Sequence, residues 1–314
     1  MHGSYLQYLA SSRHEFLLPV KPARPAGYRG RGADYWPENL VEVGADSVRT
    51  LELDVVLFQA HRHYLRDQHE LLSGGQRRLP RIFLEHDPPR EHPTDMRHPV
   101  DDPDVLLVHV TPFNELMWDS GRTPTAVIDH GVPVSSTVRY SGELERGLVI
   151  VNHLAQRGRR LGLDVFERVR ERVPLDLVGM GSDEVGGLGE VPFDELPAFA
   201  ARYRFLFNPI RYTSLGLAVL EAMAIGMPVI ALATAEYAVA IENGVSGFVD
   251  TSADRLVERM LTLLADPQLA RRLGDGARRR AQERFSLERF AREWDRTLRE
   301  VAARRPAAPS VRAV

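Results

Sequence analysis

Apolar residues recur along this chain in two spacings, and the switching between them outlines the architecture. Short, nearly unbroken apolar runs, of the kind buried on both faces of a parallel sheet, fall at residues 53–58, 81–84, 105–110, 125–132, 147–152, 175–181, 205–207 and 229–232. Between them lie stretches with helical spacing at 5–10, 64–72, 113–119, from 153 to about 172, at 197–203 and from 214 to 225. Residues 14–20 are a further strand candidate, whereas 21–47, rich in Pro, Gly and Arg, read as one long loop. After residue 250 the spacing is helical only, at 254–265, 267–274 and 286–301. In the last of these Leu287, Phe290, Ala291 and Trp294 share an apolar face. Strands alternating with helices predict an α/β fold built on parallel sheets.

The pattern is densest from Phe207 to Leu232. A helix capped by Thr213 or Ser214 is expected there, stopping at Gly226 and Pro228 before the strand Val229–Leu232. Leu217, Leu220, Glu221 and Ala224 stand at i, i+3, i+4 and i+7, which puts one carboxylate on an apolar stripe. A carboxylate left unpaired in a core costs several kcal/mol, so Glu221 is expected to line a cleft and meet hydroxyl or amide donors. The amides of Ser214, Leu215, Gly216 and Leu217 are expected to face out of the helix start, with Gly216 admitting an anion such as a phosphate. The plainer reading of the same segment is a packed helix with a salt-bridged Glu.

Gly216-Leu217, Leu220-Glu221-Ala222-Met223-Ala224 and Gly226-Met227-Pro228-Val229-Ile230 together resemble the donor-binding segment of family-4 glycosyltransferases (glycosyl transferases group 1). Those are retaining enzymes of the GT-B fold, two Rossmann-like parallel-sheet domains with a cleft between them. Val178-Gly179-Met180-Gly181 and Val245-Ser246-Gly247-Phe248-Val249 resemble further family segments in the family's order, so the likeness covers residues 147 to 295. It implies domains at 1–142 and 143–304, with 305–314 a disordered tail.

In the carboxyl-terminal domain the resemblance implies that Glu221 binds the ribose of a nucleotide-diphosphate sugar. Thr213, Ser214, Gly216 and Leu217 would surround the donor, and basic groups after the strand at 147–152 would clasp its diphosphate. Here His153 stands near the first basic position, and Arg157, Arg159 or Arg160 offers the second. Arginine would stabilise the departing diphosphate by charge-assisted hydrogen bonds, without a bound metal or other cofactor. A solvated basic turn is the alternative. In the amino-terminal domain His86 resembles the histidine that faces acceptor and transferred sugar, against the alternative of a turn-closing residue.

The chain departs from the family at several positions. Thr213 stands eight residues before Glu221, where the family has its first Glu, and His130 stands where Asn is usual. The opening residues enter a helix at once, without the strand that usually leads into a Gly-containing loop. A shortened amino-terminal domain or a start placed too far downstream is the expectation, with Gly3 near the donor diphosphate if the loop is intact.

The function implied is transfer of a sugar from a nucleotide donor, with retention, to a hydroxyl of a glycan, a lipid-linked glycan or a small molecule. The competing readings are a non-catalytic sugar-nucleotide-binding partner or scaffold subunit, and a GT-B sugar-nucleotide epimerase.

Composition narrows the field. The chain has 314 residues, 44% hydrophobic and 26% charged, with a net charge of −3, no cysteine and a single lysine, Lys21. Disulfides, thiol catalysis and zinc–thiolate sites are excluded, and a broad nucleic-acid surface is not expected. Phosphate must be held by arginine, backbone amides or helix ends. His86, Asp87, His92, Asp95 and His98 suit zinc or manganese by type, but four prolines and the lack of an aligning helix argue against a metal site. Asp101, Asp102 and Asp104 read as a charged turn. Arg278, Arg279 and Arg280 read as a solvated helix face, with contact to anionic lipid or phosphate as the second reading. No apolar run approaches a membrane span, so a cytoplasmic location is expected.

Overall fold

A computed structural model describes residues 3–31, 36–134 and 137–304. The chain divides into two compact units, one of residues 1–131 with 288–314, the other of residues 132–287.

The first unit begins with α1 (Gly3–Leu9), β1 (Phe16–Val20) and β2 (Leu40–Gly44), and continues through β3 (Val56–Phe58) and α2 (Gln68–Leu71). It goes on to β4 (Arg81–Glu85), β5 (Val105–His109), α3 (Pro112–Met117) and β6 (Thr125–Val127). All its strand pairs are parallel, in two sheets ordered β1-β2 and β3-β4-β5-β6. Every residue of β5, and all of β4 after Arg81, is buried, as their unbroken apolar sequences require.

Two expectations change here. β2 lies inside the stretch expected to be one loop. The helix expected at 64–72 forms over 61–71, with its middle, His63–Asp67, π-helical and α2 as its last turn. Gly3 opens α1 and belongs to no glycine loop.

The second unit runs β7 (Leu144–Ile150), α4 (Leu154–Leu161), α5 (Leu163–Arg170), β8 (Leu175–Val178), α6 (Leu196–Ala200) and β9 (Tyr203–Asn208). It continues with α7 (Leu217–Ile225), β10 (Val229–Leu232), α8 (Tyr237–Ala240), β11 (Gly247–Asp250), α9 (Ala253–Ala265) and α10 (Pro267–Arg284). Its one sheet is parallel throughout, ordered β11-β10-β9-β7-β8, and β9 is buried along its whole length. α10 extends well beyond the turns expected at 267–274, because Gly274 and Gly276 let it press on backbone. A Cβ at Gly274 would lie 2.0 Å from the Gly226 carbonyl oxygen, and one at Gly276 1.9 Å from that of Val245. Arg278 donates to the Ala224 carbonyl at 2.6 Å and Arg280 to that of Val239 at 3.3 Å, so these two arginines cap neighbouring backbone.

The last helix, α11 (Leu287–Ala302), belongs to the first unit. Its Trp294, fully buried, donates from Nε1 to the Tyr5 hydroxyl at 3.1 Å, and Phe290 meets the Tyr5 ring edge-on at 5.4 Å. Arg289 donates to the carbonyls of Asp129 and His130. The division therefore falls at 131/132, not near 142, and the chain returns to its first unit at the end. The tail at 305–314 lies outside the described residues. Among the described residues no helix is long and apolar enough to cross a membrane.

Candidate functional site

In the second unit the chain enters the sheet at β7, places β8 on one side and β9, β10 and β11 on the other. The order reverses between β7 and β9, and in open α/β sheets ligands bind beyond the carboxyl ends of the strands at such a switch point. Two segments meet there, residues 151–162 after β7, which include α4, and residues 209–216 after β9. Their approach is close: a Cβ at Gly162 would sit 2.0 Å from the Pro209 carbonyl oxygen, and Arg211 and Tyr212 donate backbone N–H groups to the Arg160 carbonyl.

The residues expected to hold a donor are gathered at this end. His153 is the left-handed residue that starts α4, with φ 53°; its backbone N–H donates to the Met180 carbonyl at 2.7 Å, and its buried Nδ1 has no hydrogen-bond partner among the described residues. Arg157 lies one turn on, half-buried, its N–H bonded to the His153 carbonyl. Arg159 is exposed and already engaged, 2.7 Å from Asp164. Arg211 grips the same carboxylate with both guanidinium nitrogens at 2.5 and 2.7 Å, and that grip, more than Arg159, holds Asp164 below the usual carboxylate range. Arg211 escaped the sequence reading because its partner is 47 positions away.

After β9, neither Thr213 nor Ser214 caps the helix. Gly216 is the N-cap of α7, in extended conformation and without a side-chain cap. Its N–H points at the hydroxyl of the buried Tyr237 at 3.3 Å, and that hydroxyl donates to the Ser214 carbonyl. Tyr237 thus fixes the turn that the sequence assigned to Thr213 and Ser214. Burial raises its pKa, so the hydroxyl stays protonated. Within α7 only Leu217, Ala218 and Glu221 escape full burial, and their spacing of i, i+1 and i+4 puts them on one face. Glu221 is therefore half-exposed on the one open face of an otherwise buried helix, while Leu220 and Ala224 of the expected stripe are fully buried.

In the first unit His86 is only 7% exposed. Its ring meets that of Tyr5 edge-on at 4.8 Å, and its Nε2 lies 3.2 Å from Gln59 Oε1. Of the histidines and carboxylates around it whose type suits a metal, one has a different set of neighbours. His98 instead joins His61 and Glu85, with ligand-type atoms within 4.8 Å of one another. His98 Nδ1 accepts the Val100 N–H at 3.1 Å, which leaves its proton on Nε2, facing Glu85 Oε2 at 3.1 Å. His61 Nε2 meets the same oxygen at 3.0 Å, and the Asp87 N–H meets Oε1. His98 is thus a donor to the carboxylate, a geometry that suits a hydrogen-bonded anion better than a metal. Burial alone would raise the Glu85 pKa, but these three donors hold it well below the carboxylate range. Beside it on β5, His109 is fully buried with neither ring nitrogen bonded among the described residues, and burial pushes its pKa down to about 4.

Residues 180–280 match the family described as glycosyl transferases group 1. The chain is 35% identical over 124 residues, 38% of its own length and 35% of the relative's, to the lipopolysaccharide core biosynthesis mannosyltransferase LpcC of Rhizobium leguminosarum bv. viciae. A trehalose synthase of Pyrococcus horikoshii is 28% identical over 158 residues, 42% of this chain and 38% of that one. The matched stretches thus span less than two fifths of either relative. Among solved structures, sucrose-phosphate synthase from Thermosynechococcus elongatus superposes with a TM-score of 0.62 at 18% identity, covering 79% of this chain and 73% of the other. TarM of S. aureus, in complex with fondaparinux, alpha-GlcNAc-glycerol and UDP, gives 0.64 at 14% identity, covering 81% of this chain and 58% of the other. At these identities the likeness shows the fold, which is GT-B.

Proposed function

We propose that the second unit, whose residues 180–280 are those of a group 1 glycosyltransferase, is the donor-binding part of an enzyme that transfers a sugar from a nucleotide diphosphate to an acceptor hydroxyl. The observation that carries this reading is the position of Glu221. It is the one ionisable side chain of α7, on that helix's only open face, and the helix follows the loop at the β7/β9 switch point. In this reading Glu221 accepts hydrogen bonds from the ribose hydroxyls. The amides of Leu215 and Leu217 beside Gly216, with Arg157 and His153 across the switch point, take the diphosphate. Arg159 serves at one remove, since it shares Asp164 with Arg211.

During transfer the bond from the anomeric carbon to the diphosphate oxygen breaks and the acceptor oxygen bonds on the same face. The acceptor proton passes to the departing diphosphate. Arginine and backbone N–H groups stabilise that developing charge, so no metal is required. The acceptor is a hydroxyl of a glycan, a lipid-linked glycan or a small molecule, and the location is cytoplasmic.

Calorimetry with a panel of nucleoside diphosphates, beginning with UDP because TarM was captured with it, tests the donor site. Tight binding of one base, weakened in Glu221→Ala, supports it; no binding of any member overturns it. A second reading, binding without turnover, is favoured by Thr213 in place of an acidic residue together with a His86 only 7% exposed beneath Tyr5. Hydrolysis or transfer of the matching sugar nucleotide separates the two.

A further inference from the structure

The carboxyl ends of the first unit's strands gather histidines around one carboxylate, Glu85. β4 ends on Glu85 and β5 on its register partner His109, and His86 follows β4 at once. His61 opens the helical segment at 61–71, just beyond β3, and His98 comes from the chain between β4 and β5. Ligands of parallel α/β sheets gather beyond this end of the strands.

These histidines differ in what they still offer. His109 is sealed from solvent and His86 is buried, with its Nε2 at Gln59. Both nitrogens of His98 are in use, Nδ1 by the Val100 N–H and Nε2 by Glu85. The His61 side chain, in contrast, is 38% exposed, although its Nε2 lies 3.0 Å from Glu85 Oε2. Its Nδ1 is neither sealed nor hydrogen-bonded among the described residues.

Glu85 decides which way the His61 proton faces. Against the pull of burial, its donors keep this carboxyl ionised, and an ionised carboxylate only accepts. His61 Nε2 must therefore carry a proton, and in the neutral ring Nδ1 is left with a lone pair turned to solvent. His98 and the Asp87 N–H already give each oxygen of Glu85 a donor. The carboxylate thus has its partners without His61, whereas His61 depends on the carboxylate to fix its tautomer. Among the described residues no arginine or lysine bonds Glu85, so negative charge stands behind the exposed lone pair. Such a group favours a hydroxyl that donates a hydrogen bond and repels a phosphate or a carboxylate.

We propose that His61 is the acceptor-holding side chain of the first unit: its Nδ1 accepts a hydrogen bond from a hydroxyl of an uncharged sugar, and Glu85 is the positioning residue that keeps the ring proton on the far side. This role rests on the reading of the chain as a glycosyltransferase and gives its acceptor a chemical class. The bonded hydroxyl is one that the reaction leaves in place, so His61 selects and orients the acceptor and enters no proton transfer.

Two measurements on the full chain test this role. Side-chain nitrogen-15 NMR of the histidines reads the tautomer, before and after addition of p-nitrophenyl glycosides of neutral hexoses. His61 is expected as the Nε2–H tautomer, with an Nδ1 resonance that at least one glycoside shifts and inorganic phosphate does not. An Nδ1–H tautomer overturns the proposal. So does an Nδ1 resonance that no glycoside moves, or that phosphate moves equally.

The second measurement is transfer to the same glycosides from the donor that calorimetry identifies, in two variants. The side-chain amide of Asn reaches to where histidine Nδ1 stands, and that of Gln to where Nε2 stands. His61→Gln keeps a donor to Glu85 and loses the group facing the sugar, so its acceptor KM should rise roughly tenfold while kcat changes less. His61→Asn keeps an oxygen for the hydroxyl, and its KM should lie between that of His61→Gln and wild type. The opposite order, with Gln harmless and Asn damaging, means that His61 serves only Glu85 and overturns the proposal, as does an unchanged KM in both variants. Wild type that neither binds nor hydrolyses any sugar nucleotide overturns the donor reading instead, and the tautomer and glycoside shifts then decide the role of His61.

Discussion

Arg157 and Arg159 are two residues apart in sequence, yet Arg157 is half-buried and Arg159 is exposed. Arg159 is 2.7 Å from Asp164 Oδ2, and Arg211 bonds both oxygens of that carboxylate, so the charge of Arg159 is largely spent within the protein. Arg157→Ala is therefore expected to weaken nucleoside-diphosphate binding about tenfold and Arg159→Ala by less than about twofold, while Glu221→Ala costs roughly tenfold to a hundredfold, all read by calorimetry. His109 makes a different kind of prediction. Its pKa is about 4 in the fold against 6.5 as a free side chain, so as pH falls below 6.5 the unfolded chain takes up the proton first. The first unit should keep its full stability above about pH 6.5 and lose up to about 3 kcal/mol by pH 4. Glu85, also held low, removes more as pH falls through the carboxylate range. Urea midpoints at pH 7 and pH 4.5 should differ less in His109→Leu than in wild type; an equal difference would mean that His109 is not the group responsible.

Elements were legible where one physical requirement dominated. The strands at residues 81–84 and 105–110 could be read because strands buried on both faces tolerate nothing but apolar side chains. β2, LVEVG, could not, because it carries Glu42 at its centre and follows a stretch rich in Pro and Gly. That Glu is answered by Arg24 at 2.8 Å and by the Arg31 N–H at 2.6 Å, contacts invisible in any local pattern. The candidate site divides in the same way. That Glu221 is the one ionisable side chain of α7 was legible, because an apolar helix shows its single charge plainly. Tyr237 was not, since its bonds to Gly216 and Ser214 span more than twenty positions. Close backbone approach was legible least of all. Gly162, with φ 86°, sits where a Cβ would lie 2.0 Å from the Pro209 carbonyl oxygen. Gly162→Ala should therefore destabilise the second unit by more than about 1 kcal/mol and loosen the joined loops beyond β7 and β9. Denaturant unfolding would show the first effect, and weaker nucleotide binding by the still-folded variant the second.

The molecule as a whole is two parallel α/β units of unequal continuity, and the sequence pattern located the second better than the first. Its boundary was misplaced because the crossover of α11 to the first unit rests on tertiary partners, Tyr5 and the carbonyls of Asp129 and His130. Trp294→Ala should therefore cost about 3–5 kcal/mol of stability in the first unit, although it lies near the carboxyl end, and leave nucleotide binding by the second unit intact. Loss of both together would overturn that assignment. The same crossover fixes an order of events on the ribosome. The second unit is one unbroken stretch and can fold once residue 287 has emerged, whereas the first waits for its closing helix. At 5–20 residues per second, the roughly 160 residues between the two parts of the first unit take about 8–30 s to make. For that interval the nascent amino-terminal half carries an uncovered Tyr5, so it is the half that chaperones must shelter during synthesis.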